Sequence, residues 1–270
     1  MIIVNTEKNS WNKTSTYNLK DKYSEIFHRK INYDKHLDIF ILEQVILKRN
    51  NDLLLKVHTF TEMFFKEVPV ESLTEALKAE VLGATQIELC DNLYVGGTTP
   101  TLETIKNCKK LLKIPMMVMI RPRGGDFVYT DQEIEAMIED INYCKKIGVK
   151  GIVTGVLDKN NQVAIEIMKM LIKKARPLDV TFHKAIDETP DPIMALEQLI
   201  ELGVDNVLTS GRASTAQEGS ALMNKMIKTA AGDITVMVSG KITKDNFHEI
   251  RELIPSRKYH GRIISGPLDI

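Results

Sequence analysis

One feature constrains this chain more than any other: an alternation that begins at residue 63. Eight short strand-like runs, at 63–68, 86–90, 115–120, 151–156, 179–183, 206–210, 234–239 and 257–263, are separated by helical patterns. Parallel strands need a crossover between neighbours, so strands that alternate with helices imply a parallel α/β fold. Eight is the number that closes a (β/α)₈ barrel, and roughly 200 residues is the lower limit for one. A doubly wound sheet is the competing architecture. It usually has fewer strands, and no G-x-G-x-x-G follows the first run. Ten residues follow His260, too few for an eighth outer helix. The expected fold is a TIM barrel lacking its last outer helix, with a bare flank for a partner subunit or an N-terminal extension.

The clearest helical pattern carries Ile134, Met137, Ile138, Ile141 and Cys144 on one stripe. Thr130 is its expected cap, and Asp131 and Glu133 suit the positive end of the helix dipole. Leu82-Gly83, Ile147-Gly148, Leu202-Gly203 and Ala231-Gly232 read as helix stops.

Composition divides the chain. All 15 Gly and all 9 Pro lie after residue 62. Residues 1–62 are therefore read as an N-terminal extension and 63–270 as the barrel domain. The first 35 residues are polar without a steady period and are expected to be loop or disordered. Residues 36–57 suggest one or two helices from Leu42, Val45, Ile46 and Leu53, interrupted at Asn50-Asn51.

Lys plus Arg and Asp plus Glu both total 36. That neutrality argues against nucleic acid as a partner, because phosphate recognition needs a basic excess. Three sparse cysteines, Cys90, Cys108 and Cys144, form no CxxC pair and suggest a reducing compartment. The N-terminus lacks the pattern of a signal peptide, and the most apolar stretch is too short to span a bilayer. A cytoplasmic protein without membrane partners is expected.

In a parallel barrel, chemistry sits at the carboxyl ends of the strands. The polar residues there are Glu67, then Glu88, Cys90 and Asp91, then Arg121-Pro122-Arg123-Gly124-Gly125-Asp126. Thr181, His183, Lys184 and Asp187 follow, then Ser210-Gly211-Arg212, Ser239-Gly240-Lys241 and His260. Alternation places Glu88 with Cys90, and Thr181 with His183, on the inner face. Arginine forks suit carboxylate or phosphate, so Arg121, Arg123 and Asp126 are candidate ligand residues. Ser210, Gly211, Ser239 and Gly240 close later strands ahead of helices, where barrels often hold anions. Glu88 and His183 are candidates for proton transfer, with Asp187 as orienter. Met116, Met117 and Met119 read as core. Cys90 is the candidate metal ligand.

Together IELCDNL, GGTTPT, MIRPRGGDF, GIVTGVL, TFHKAIDETPDP and LGVDNVLTSG resemble the CutC family, named for copper homeostasis, over residues 63 to about 262. The resemblance implies a (β/α)₈ barrel, a cytosolic setting, homodimers and copper handling. It also implies Cu(I) ligation by cysteines, one of them matching Cys90. A second family cysteine commonly follows the first strand in E-V-C; here the sequence is Glu67-Val68-Pro69, so a two-thiolate site of that kind cannot form. The family's F-H-R-A is Phe182-His183-Lys184-Ala185, and its glycine-rich turn after the seventh strand is Val238-Ser239-Gly240-Lys241. Two functions are carried forward. One is copper homeostasis with copper bound at Cys90. The alternative is a barrel enzyme acting on a small anionic ligand held by Arg121, Arg123 and the Ser210 and Ser239 loops.

Overall fold

The computed structural model describes residues 25–34, 39–49, 52–57 and 64–268. Two units are distinguished, Met1–Met63 and Phe64–Ile270.

In the second unit eight parallel strands close a barrel. They are β4 (Phe65–Val70), β5 (Gln86–Leu89), β6 (Met116–Met119), β7 (Gly151–Thr154), β8 (Asp179–Phe182), β9 (Asn206–Thr209), β10 (Thr235–Val238) and β11 (Lys258–His260). Pairing follows chain order, and β11 returns to β4 with His260 opposite Glu67. The connecting helices are α1 (Leu73–Val81), α2 (Leu102–Leu111), α3 (Asp131–Ile147), α4 (Ile165–Ala175), α5 (Pro192–Glu201), α6 (Ser220–Ala230) and α7 (Phe247–Leu253). Among the described residues no helix follows β11, as the sequence implies. None of their helices is long and apolar enough to cross a membrane.

Strand alternation builds two cores. Ile87, Leu89, Met116, Val118, Ile152, Val180 and Phe182 belong to the larger cluster together with the buried faces of the helices. Cys90, Met117, Met119 and Val153 form a separate small cluster inside the barrel. The methionines thus divide between the two faces, as strand geometry requires. Helix α3 starts with a full capping box between Thr130 and Glu133, buries Ile134, Met137, Ile141 and Cys144, and stops at Gly148 in the left-handed conformation.

The first unit corrects an expectation. Where helix was expected for 36–57 and loop for 1–35, the structure has three strands, β1 (Glu25–Asp34), β2 (Ile39–Arg49) and β3 (Asp52–Val57), in one antiparallel sheet. The physical reason is residue type. Ile39, Phe40, Ile41, Val45 and Ile46 are β-branched or aromatic, which fits a pleated surface better than a helix. The loop expected for residues 1–24 and the interruption at Asn50-Asn51 lie outside the described residues.

Candidate functional site

The carboxyl ends of the strands converge on a cavity of about 510 Å³. Its wall includes Glu88, Met119, Arg121, Phe127, His183 and His260. Lys184, Asp187, Ser210 and Arg212 also border it.

On one side stands a carboxylate–imidazole cluster. Register places Glu67 beside His260 across the β4–β11 seam, and their side chains meet at 3.0 Å through Nδ1. His260 Nε2 lies 3.9 Å from Glu88 Oε2. The Gln86 amide donates to Glu67, and the Cys90 thiol donates to Glu88 Oε2 at 3.5 Å. Glu88 Oε1 is buried without a partner among the described residues. Burial is the chief influence on Glu88 and lifts its carboxyl to about 7; Glu67 adds to the lift and His260 opposes it. Burial alone would lower His260, but Glu88 and Glu67 outweigh it and hold the imidazole above its usual value. Burial, then Glu88, pushes the Cys90 thiol well above the ordinary range.

Arg121 and His183 also line the cavity, each 4% exposed. Arg121 Nη1 donates to the carbonyls of Val95 at 2.9 Å and Gly97 at 3.1 Å, and Nη2 donates to that of Gly125 at 2.8 Å. Its Nε–H has no acceptor among the described residues. The guanidinium lies over Phe127, 4.8 Å from the ring centroid, and the His183 ring centroid is also 4.8 Å from that of Phe127. His183 Nδ1 accepts the Ala185 N–H at 3.2 Å, while Nε2 is buried without a partner. Burial, then the Arg121 charge, drops His183 to about 3. The ring is therefore neutral, and with Nδ1 accepting, its proton sits on Nε2. Gly155 makes this placement possible: a Cβ there would lie 2.6 Å from the imidazole.

The structure separates the remaining candidates. Asp187 does not orient His183. It accepts from the Thr209 hydroxyl, the Ser210 N–H at 3.0 Å, the Ser210 hydroxyl at 3.2 Å and the Arg212 N–H at 3.1 Å. It thus pins the loop after β9. Arg123 clamps its own loop, donating to Glu133 at 2.7 Å, Asp126 at 3.0 Å and the Val128 carbonyl at 2.8 Å. Neither Arg123 nor Asp126 lines the cavity. The Ser239 hydroxyl donates to the Thr209 carbonyl at 2.9 Å. Gly211 and Gly240 allow close backbone approach, since a Cβ on either would lie 2.3 Å from Gly219 O or 2.6 Å from Ala216 N. Asp187, Ser210 and Arg212 border the cavity, whereas Arg123, Asp126, Gly211, Ser239 and Gly240 shape the loops around it.

A model of the CutC family matches residues 64–264. The chain belongs to the CutC family. A human copper homeostasis protein cutC homolog is 45% identical over 197 residues, covering 73% of this chain and 72% of the relative. A family protein CutC from Parabacteroides distasonis is 43% identical over 195 residues, 72% of this chain and 80% of that protein. A solved CutC structure from Streptococcus agalactiae, 33% identical, superposes with a TM-score of 0.72 and covers 75% of this chain and 100% of its own. An aldolase at 17% identity and a TM-score of 0.54 shares the fold alone.

Glu67 and His260 each stood out as polar strand-end residues, but 193 positions separate them. The signal that joins them is barrel closure, which makes the first and last of eight strands neighbours. Phe127, which touches both Arg121 and His183, carried no sequence signal beyond its place after RPRGGD.

Proposed function

We propose that this CutC protein works in copper homeostasis in the cytoplasm, and that its barrel mouth binds a copper ion. The supporting observation is the convergence on Glu88. One atom of each of Glu67, Glu88 and His260 lies within 4.8 Å of the others, and the Cys90 sulfur is 3.5 Å from Glu88 Oε2. The donor chemistry fits copper in part. Imidazole and carboxylate suit Cu(II), and a thiolate suits Cu(I). Pro69 stands buried where a second thiolate would be needed, so the set is mixed rather than all-sulfur. Three free, buried cysteines support a reducing compartment.

Because the Cys90 thiol is held protonated, copper has to displace a proton, and affinity should rise with pH. A competition titration checks both points. Wild type should bind one copper tighter than about micromolar, and Cys90→Ser or His260→Gln should weaken it by about tenfold or more. Wild-type binding weaker than that, or variants that match it, would overturn the copper site.

A second reading, acid–base chemistry on a small molecule, is favoured by the partnerless Glu88 Oε1 on the cavity wall. A carboxyl near 7 can both take and return a proton at neutral pH. Exchange of C–H protons of small carbonyl compounds in D₂O, followed by proton NMR, checks it. Wild type should catalyse exchange and Glu88→Gln should not; an inert wild type would sink this reading.

A further inference from the structure

Among the described residues Arg121 is a buried cation without a counter-ion. Its three acceptors are all neutral carbonyls, and among the described residues no carboxylate lies within ion-pair distance of it. Asp126 acts on it only from further away and is tied to Arg123. A buried charge left unpaired is costly, and so is a buried donor without an acceptor. Five buried side-chain polar atoms lack a well-formed hydrogen bond among the described residues: Glu88 Oε1, Arg121 Nε, His183 Nε2, Tyr129 Oη and Ser265 Oγ, with Tyr129 close enough to Arg121 to feel its charge. The first three belong to residues that line the same cavity. That concentration marks a wall built to meet a ligand.

We propose that the Arg121–His183 wall of the cavity binds a small organic carboxylate, received by Arg121 Nε–H and His183 Nε2–H. The donor count selects the class. Arg121 Nε–H, the second N–H of its Nη2 and His183 Nε2–H are left over, and with the single positive charge of Arg121 they suit the two oxygens and single charge of a carboxylate. A phosphate dianion would leave charge and acceptors unmet. The body of the ligand meets apolar wall, since Met119, Phe127 and Leu208 line the same space. Lys184 and Arg212 border the cavity together with the carboxylates Asp187, Glu188 and Glu88, so the attraction for an anion rests on Arg121 itself. The proposed donors, Arg121 and His183, share the cavity with Glu88 but are not among the candidate copper ligands, so the inference stands whether or not copper binds there.

The test uses the full-length chain, freed of metal by a chelator and carrying ¹⁵N-labelled histidine. Pyruvate and isobutyrate are the carboxylate probes; inorganic phosphate and acetone are the comparisons. Carboxylates should shift the His183 Nε2 resonance saturably, at millimolar or tighter affinity, with phosphate and acetone about tenfold weaker or worse. Saturation-transfer NMR then reads the variants. Arg121→Lys keeps the charge but loses the Nε–H, and should weaken carboxylate binding about tenfold. His183→Leu should abolish it, and His183→Gln, which restores an N–H donor, should recover part. Should Arg121→Lys fail to fold, the two His183 variants decide. No saturable carboxylate shift, phosphate binding as tight as carboxylate, or undiminished binding by His183→Leu would each overturn the proposal.

Discussion

Glu88 has one oxygen engaged by Cys90 and close to His260, and another that is buried and unpaired. Its carboxyl titrates near 7 in the folded chain against 4.5 ordinarily. The folded state therefore holds more protons than the unfolded state between those values, and stability contributed by Glu88 falls as pH climbs through them. Glu88→Gln removes this dependence. The stability difference, wild type minus Glu88→Gln, should decline from pH 4.5 to 7 and level off above; denaturant melts across that range check it, and a rising difference would contradict the burial argument. His183 acts in the opposite sense. Its folded value near 3 lies below the ordinary 6.5, so the unfolded state binds the extra proton and stability falls as pH drops from 6.5 towards 3. His183→Gln should flatten that acid limb. Arg121 works through packing: its three carbonyl bonds tie Val95, Gly97 and Gly125 together. Arg121→Ala should cost more than about 3 kcal/mol, since bonds from a charged donor contribute about 1.5–3 kcal/mol each.

Among the elements, the barrel strands were legible because most are short apolar runs closed by glycine or a polar turn, and β5 to β10 fall inside the segments read from sequence. Helix α3 was legible down to its cap. Thr130→Ala should destabilise by about 1 kcal/mol, measured by urea denaturation, since the Glu133 N–H loses its acceptor. The sheet of the first unit was not legible from spacing alone. Leu42, Val45 and Ile46 satisfy a helical stripe, yet they sit in an apolar run that also suits a strand; only its β-branched and aromatic content discriminates. Loops were the least legible elements. Arg121 and Arg123 are two residues apart with the same chemistry, but one lines the cavity and the other binds Glu133 on α3. The difference depends on acceptors up to 26 residues away along the chain, which no local pattern encodes. Gly155 shows the same limit. Its need for a missing side chain comes from the His183 ring of the next strand, and Gly155→Ala should cost about 1–3 kcal/mol by overpacking.

At the scale of the molecule, closure decides what can fold and what can function. All eight barrel strands lie within Phe64–Ile270, and the seam is made by β11 against β4, with Lys258 opposite Phe65, Tyr259 opposite Lys66 and His260 opposite Glu67. The seam is also half of the candidate copper site, because Glu67 and His260 meet only when the first and last barrel strands pair. Tyr259 locks it from the outer side, fully buried, with its hydroxyl donating to the Ile254 carbonyl at 2.8 Å. A barrel has no free edge, so its stability depends on having every strand. A chain beginning at residue 64 should therefore fold cooperatively and keep copper and carboxylate binding, whereas one ending at residue 256 should lose both along with cooperative melting. Calorimetry and the two binding assays on these truncations check this, and a chain from residue 64 that fails to melt cooperatively would show that the barrel is not an independent folding unit.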